Sequence, residues 1–144
     1  MKSLKYVTIA AILISFFSVG EVSAKKKMLP KAYMFGFSAA FTDSVVYFTN
    51  VQTVDSVWID TKSKFLLGRD NYSYQLKNYF AQQKNMPART CVVFFGQKKK
   101  DVEKKLIKLK NKYTVKAKTP FDVRFLETGE FKFKGIDMSI EEVE

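Results

Sequence analysis

Eight lysines stand between Lys98 and Lys112, the densest group in the chain able to meet another molecule. Lys98, Lys99, Lys100, Lys104, Lys105, Lys108 and Lys112 are the candidate contacts for an anionic partner. Only Arg69, Arg89 and Arg124 are arginines. Lysine is a hydrated point charge, whereas arginine makes the planar two-pronged contacts of dedicated phosphate or carboxylate sites. The balance suits electrostatic attraction to an anionic surface. The plainer alternative is a solvated face that keeps the protein soluble. Trp58 and Tyr74 are candidate exposed aromatics, able to stack on a sugar or anchor a partner. The alternative for Trp58 is a plug at one end of the core.

Catalytic chemistry finds little support. There is no histidine, so the Ser-His and Cys-His nucleophile systems are excluded, as are zinc sites of the usual Cys/His type. Asp55 and Asp60 are five residues apart. That spacing puts them on opposite faces of a strand and about 140° apart on a helix, so neither geometry makes the pair of opposed carboxylates a glycosidase needs. Ser63-Lys64 are adjacent, without the S-x-x-K spacing of a Ser-Lys pair. Gly68-Arg69-Asp70 precedes a helix but lacks the spaced glycines of a phosphate cradle. Cys91, the only cysteine, lies in an apolar run and reads as a small buried hydrophobe. No metal or cofactor site is expected.

The elements that would carry these residues follow from periodicity. Residues 32–41 alternate, with Tyr33, Phe35, Phe37, Ala39 and Phe41 on one face, and predict a strand. Thr42-Asp43-Ser44 is turn chemistry, and residues 45–54 are β-branched and aromatic, a second strand of an antiparallel hairpin. Residues 55–68 are ambiguous; Val57-Trp58-Ile59 fits a short strand or one helical turn. Asp70 reads as an N-cap. It opens a helix to about Gln83 on Tyr72, Leu76, Tyr79 and Phe80. Residues 90–95, apolar on both faces, predict a central strand. Val102, Leu106, Leu109 and Tyr113 then stripe a second helix whose other sides are lysine. Residues 121–125 alternate as a half-exposed strand. Phe131-Lys132-Phe133-Lys134 reads as a short edge strand protected by its lysines.

The ends say where the protein goes. Lys2 and Lys5 precede an apolar run over residues 7–20, and Val22-Ser23-Ala24 has the small-x-small form of a cleavage site. This is a secretory signal peptide, with cleavage expected after Ala24. The run is shorter than the ~20 residues of a membrane-spanning helix. Removing residues 1–24 takes away Lys2, Lys5 and Glu21, and the charge falls only from +11 to +10. Residues 25–31 read as a basic leader that frays, residues 32–135 as one domain, and residues 136–144 as an acidic mobile tail. A single cysteine in an exported chain gives no internal disulfide.

The stretch YMFGFSAAFTDSVVYFTNVQTVDSVWIDTKSKFLLGRDNYSYQL, followed by RTCVVFF and the lysine-rich helix, resembles a set of small exported proteins of uncharacterised function from Bacteroidota. The resemblance runs through most of the mature chain. It implies a Gram-negative envelope setting, periplasmic or secreted, and supplies no activity. Residues 92–123, strand, charged helix, strand, are similar in outline to half of a SPOR-type peptidoglycan-binding domain, an analogy of fold alone.

Together these readings give a single α+β domain of order β-β-α-β-α-β-β. Its sheet is antiparallel or mixed, with two helices on one face. The function expected is that of an exported, non-enzymatic envelope protein. It binds an anionic component, peptidoglycan or lipid headgroups, or an acidic protein, through the lysine-rich helix. Nucleic acid is disfavoured by the export signal. The alternatives are an enzyme or enzyme inhibitor using residues 55–70, and a structural subunit of an envelope complex.

Overall fold

The computed structural model describes residues 25–140. The expected signal peptide and the last four residues of the expected tail lie outside the described residues. Among the described residues, five strands and two helices follow in the order β1 (Lys26–Ala39), β2 (Val45–Thr49), β3 (Gln52–Asp60), α1 (Arg69–Gln83), β4 (Thr90–Gly96), α2 (Lys99–Tyr113) and β5 (Asp122–Leu126). The class is α+β, with one mixed sheet.

The long strand β1 organises the sheet. It pairs antiparallel with β3 from Lys26 to Met34, with β2 at Phe37 and Ser38, and with β4 from Tyr33 to Ala39. Because β4 shares residues of β1 with both β3 and β2, it occupies one edge of β1, while β2 and β3 follow each other along the other; β4 is thus an edge strand and not the central one its two apolar faces predict. Asn50 and Val51 interrupt that second edge. The N–H of Gly36 there donates to Oγ1 of Thr49 at 2.9 Å, so no buried donor is wasted. β5 closes the far side of β2 in parallel. The chain between β4 and β5, which contains α2, therefore crosses over two strands.

Two findings change the reading of the first strand pair. Residues 26–31 are paired with β3, so the basic leader is part of the sheet. The strand expected over residues 45–54 divides at Asn50 and Val51, and residues 52–60, ambiguous from 55 onward, form a full strand of their own. Both strands change facing phase at the same point. Val54 and Ala32 point into the core, then Val57 and Leu29 do, with Pro30, Lys31, Asp55 and Ser56 exposed between them. Ser56 has a φ of 58° at this break. A proline that lacks an N–H stands opposite it, and the two-residue period that periodicity arguments use is broken there.

Strand alternation then decides where the helices go. Met34 of β1 and Val93 of β4 pack with Tyr72, Leu76 and Phe80 of α1. Their neighbours Phe35, Phe37 and Phe94 pack with Val102, Leu106, Leu109 and Tyr113 of α2. The helices thus cover opposite faces of the sheet, not one face as expected. Phe35 stacks on Phe94 with centroids 4.8 Å apart. The physical reason is that β1, β2 and β4 are apolar on both sides, and each side needs its own cover. Gly36 lets α1 approach closely: a Cβ there would lie 2.6 Å from Cδ2 of Leu76.

The expected last strand, residues 131–134, is no strand. It is a strap over the α1 side, with Phe131 and Phe133 buried. Side-chain amides substitute for a neighbouring strand. Gln52 donates to the Phe131 carbonyl at 2.8 Å and accepts from the Phe133 N–H at 2.9 Å. Gln75 does the same for both backbone groups of Lys134, each at 2.9 Å. The hydroxyl of Tyr72 accepts from the Ile136 N–H at 3.0 Å. Met138 then rests against Gly68, so the packed chain runs on into the segment read as a tail. Gly68, at φ 73°, is the residue before α1, and no side chain caps that helix. Asp70 therefore sits inside the first turn, where its charge complements the helix dipole, and is not the N-cap.

Candidate functional site: a basic cleft beside strand β4

The lysines of α2 divide by helical position. Lys98, Lys105 and Lys112 are seven apart and Lys108 is three from Lys105, so these four lie along one flank of the helix. That flank looks over the outer edge of β4. Lys105 Nζ donates to the Phe95 carbonyl at 3.2 Å. Arg69, from the start of α1 on the other side of the sheet, donates from Nε and Nη2 to the Val93 carbonyl at 3.1 and 2.6 Å. Carbonyls two residues apart on a strand point the same way, so both cations cap the edge that β1 leaves open. Lys99 instead pairs with Glu103 at 4.0 Å, and Lys100 and Lys104 lie on the solvent side of the helix. Lys110, on the opposite flank, stands over the ring of Phe125 at 5.1 Å.

Two open cavities meet along this edge. One, of about 530 Å³, lies between the turn at residues 63–66 and the segment from Phe94 to Lys98, with Arg69, Asp101 and Lys105 on its walls. The other, of about 400 Å³, is formed by Phe94, Lys105, Lys108, Leu109 and Lys112. Phe94 and Lys105 line both, so the two cavities adjoin and together form a cleft along β4 with aromatic residues and a basic rim on its walls. Among the described residues, Lys64, Arg69, Lys98, Lys105, Lys108 and Lys112 form no ion pair. Asp101 is the one carboxylate among the described residues on the larger cavity's walls.

The structure therefore gathers four of the seven candidate lysines, Lys98, Lys105, Lys108 and Lys112, and leaves Lys99, Lys100 and Lys104 outside the cleft. It does not bring the candidate aromatics there. Trp58 is half-buried in β3 opposite Met28, and Tyr74 is exposed on α1. The aromatic at the mouth of the cleft is Phe65, 73% exposed. Periodicity gave no reason to pick it from a polar stretch. Lys64 and Arg69 enter the sequence reading through Ser63-Lys64 and Gly68-Arg69-Asp70, and no periodicity links either to the lysines of α2.

The other chemistry-capable residues have structural employment. Oδ1 of Asp60 accepts from the N–H groups of Lys62 and Ser63 at 2.8 and 3.2 Å, which holds a tight turn. Asp55 is exposed at the break in β3. No group of three metal-ligating side chains occurs among the described residues. Arg89, 3% exposed, is the most committed polar residue. Its guanidinium donates to Ser38 Oγ at 2.8 Å and to the Ser38 and Val45 carbonyls at 3.1 and 2.6 Å. It meets Asp43 at 3.4 Å and stands over the rings of Tyr47 and Phe80 at 5.0 and 5.4 Å. Cys91 points at the same Ser38 hydroxyl, 3.6 Å away. Burial pushes its thiol up, against smaller lowering effects from Ser38, Arg89 and Lys77. A raised pKa leaves little thiolate near neutrality.

Compared with known proteins, the chain matches no family model, no curated protein and no solved structure. No described helix is long and apolar enough to cross a membrane.

Proposed function

We propose that this is an exported, non-enzymatic protein of the cell envelope that captures an anionic partner along the cleft beside β4. One observation carries the reading: five lysines and Arg69, none of them ion-paired among the described residues, converge on an aromatic-lined cleft whose described walls hold a single carboxylate. Cations whose nearest partners are neutral carbonyls keep their full charge for an incoming anion. A groove lined by one sign of charge also concentrates ligands of the other. The rim is mostly lysine, which favours a partner presenting many negative charges over one small phosphate ligand.

The test separates the two flanks of one helix. Reversing Lys98, Lys105 and Lys108 to Glu is expected to abolish salt-sensitive co-sedimentation with anionic vesicles and with peptidoglycan sacculi. Reversing Lys99, Lys100 and Lys104, equal in charge, is expected to weaken it far less. All six side chains are exposed, so both triples should melt close to the parent. Equal loss in the two triples would mean that only net charge matters, and the cleft would then have no special part.

A further inference from the structure

Resting on that reading, we propose that the anionic partner is the surface of a phospholipid bilayer, and that Phe65 is the side chain that enters it. A lone exposed phenylalanine is ordinary on a protein surface. Phe65 differs in how it is held and in what surrounds it. Its carbonyl accepts from the Asp60 N–H at 3.0 Å, and its own N–H donates to Ser63 Oγ at 3.3 Å. The next residue, Leu66, is buried and bridged to Ile59. With Leu66 fixed inward, alternation turns Phe65 outward. The exposed ring is thus a property of a braced hairpin.

Its surroundings are basic. Lys62 and Lys64 share the hairpin and are exposed. The Lys25 carbonyl accepts from the N–H and hydroxyl of Thr61 at 2.9 and 3.0 Å, so the Lys25-Lys26-Lys27 start of β1 lies beside the same turn. Lys98 and Lys105 stand across the cavity. Of the nearby carboxylates, Asp60 is occupied by the turn and Asp101 alone faces the cavity. An aromatic ring ringed by lysines is the arrangement with which interfacial proteins enter the headgroup layer: the ring goes to the acyl boundary and the lysines meet the anionic heads.

The exposed ring favours a bilayer over an acidic protein. Lysines alone suffice to hold a polyanion, whereas a ring braced toward solvent among them gains only by leaving water for the acyl boundary.

The experiment uses residues 25–144, which contain every strand, helix and core residue described above and lack the apolar run. Binding is measured to vesicles of phosphatidylcholine containing phosphatidylglycerol, to pure phosphatidylcholine vesicles, and to soluble polyglutamate. The parent is expected to bind the phosphatidylglycerol vesicles and not pure phosphatidylcholine. Phe65→Ser should weaken vesicle binding about tenfold, in line with loss of an apolar side chain, while leaving polyglutamate binding unchanged. Lys62→Glu and Lys64→Glu should each weaken it by at least about fivefold. Vesicle binding by Phe65→Ser equal to the parent's would overturn the proposal. So would binding to polyglutamate without binding to vesicles, which points to an acidic polymer or protein and leaves anion capture standing. Binding to neither probe would overturn the bilayer proposal and leave anion capture to be decided by the sacculi.

Discussion

Arg89 shows at the residue scale how a charge can be wholly structural. It is buried, and its partners are two carbonyls, a hydroxyl, a carboxylate and two aromatic rings. It ties the start of β4 to the turn between β1 and β2. Arg89→Ala would strand these groups, at a cost of about 3 kcal/mol, or roughly 10 °C in melting temperature for a domain of this size. Thermal denaturation checks this, and a loss below about 1 kcal/mol would contradict the assignment. Cys91, beside it, carries a proton that the fold retains. Its folded pKa lies above the unfolded value of about 8.5, so this contribution is intact below pH ~8.5 and is lost as pH rises towards the folded pKa. Alkylation of the native thiol should accordingly be slow at neutral pH and speed up only in alkaline solution. Reaction at the rate of a free peptide thiol at pH 7 would place the sulfur in a different environment. In the sequence, Cys91 was legible in part: its apolar neighbours point to burial, and in the fold it is half-buried. Arg89 was not, because nothing local distinguishes a buried arginine from an exposed one. Its hydrogen-bonding partners in β1 and β2 lie 44 to 51 residues away.

The strap at residues 131–136 sets the limit of pattern reading at the element scale. Phe131 and Phe133 alternate with lysines as an edge strand would, and the inward-facing residues follow that alternation. What the pattern cannot reveal is that Gln52 and Gln75, far away in sequence, supply the hydrogen bonds a strand would otherwise supply. Gln52→Ala would leave a buried carbonyl and a buried N–H without partners and cost about 2 kcal/mol. The checking measurement is amide exchange, in which the Phe133 and Lys134 protons should exchange much faster than those of β4. Exchange unchanged in the mutant would show that the strap is held by its phenylalanines alone. The helices were better defined, because a stripe such as Val102, Leu106, Leu109 and Tyr113 is local information. Which flank of α2 faces the cleft was not, since it depends on how the helix lies over β4. The candidate lysines could therefore be named as a set but not sorted.

For the whole molecule, the decisive feature is a sheet apolar on both faces, with a helix over each. α1 and α2 reach the open edge of β4 from opposite sides, one bringing Arg69 and the other Lys105. A fold with both helices on one face could not cap that edge twice or build a cleft between them. The α+β class and most of the elements were legible from period and turn chemistry. The sides the helices take depend on pairings between distant strands, and the phase break at Pro30 and Ser56 hid β3. Charge and shape meet at one end of the domain, where the basic rim, the braced Phe65 hairpin and the start of β1 lie together. The most direct test of this account is co-sedimentation of residues 25–144 with phosphatidylglycerol-containing vesicles, for the parent and for the Lys98→Glu, Lys105→Glu, Lys108→Glu triple. Strong binding at low salt by the parent, lost in the triple at unchanged melting temperature, is the result expected. Binding by the triple equal to the parent's would contradict the assignment of the cleft as the contact surface.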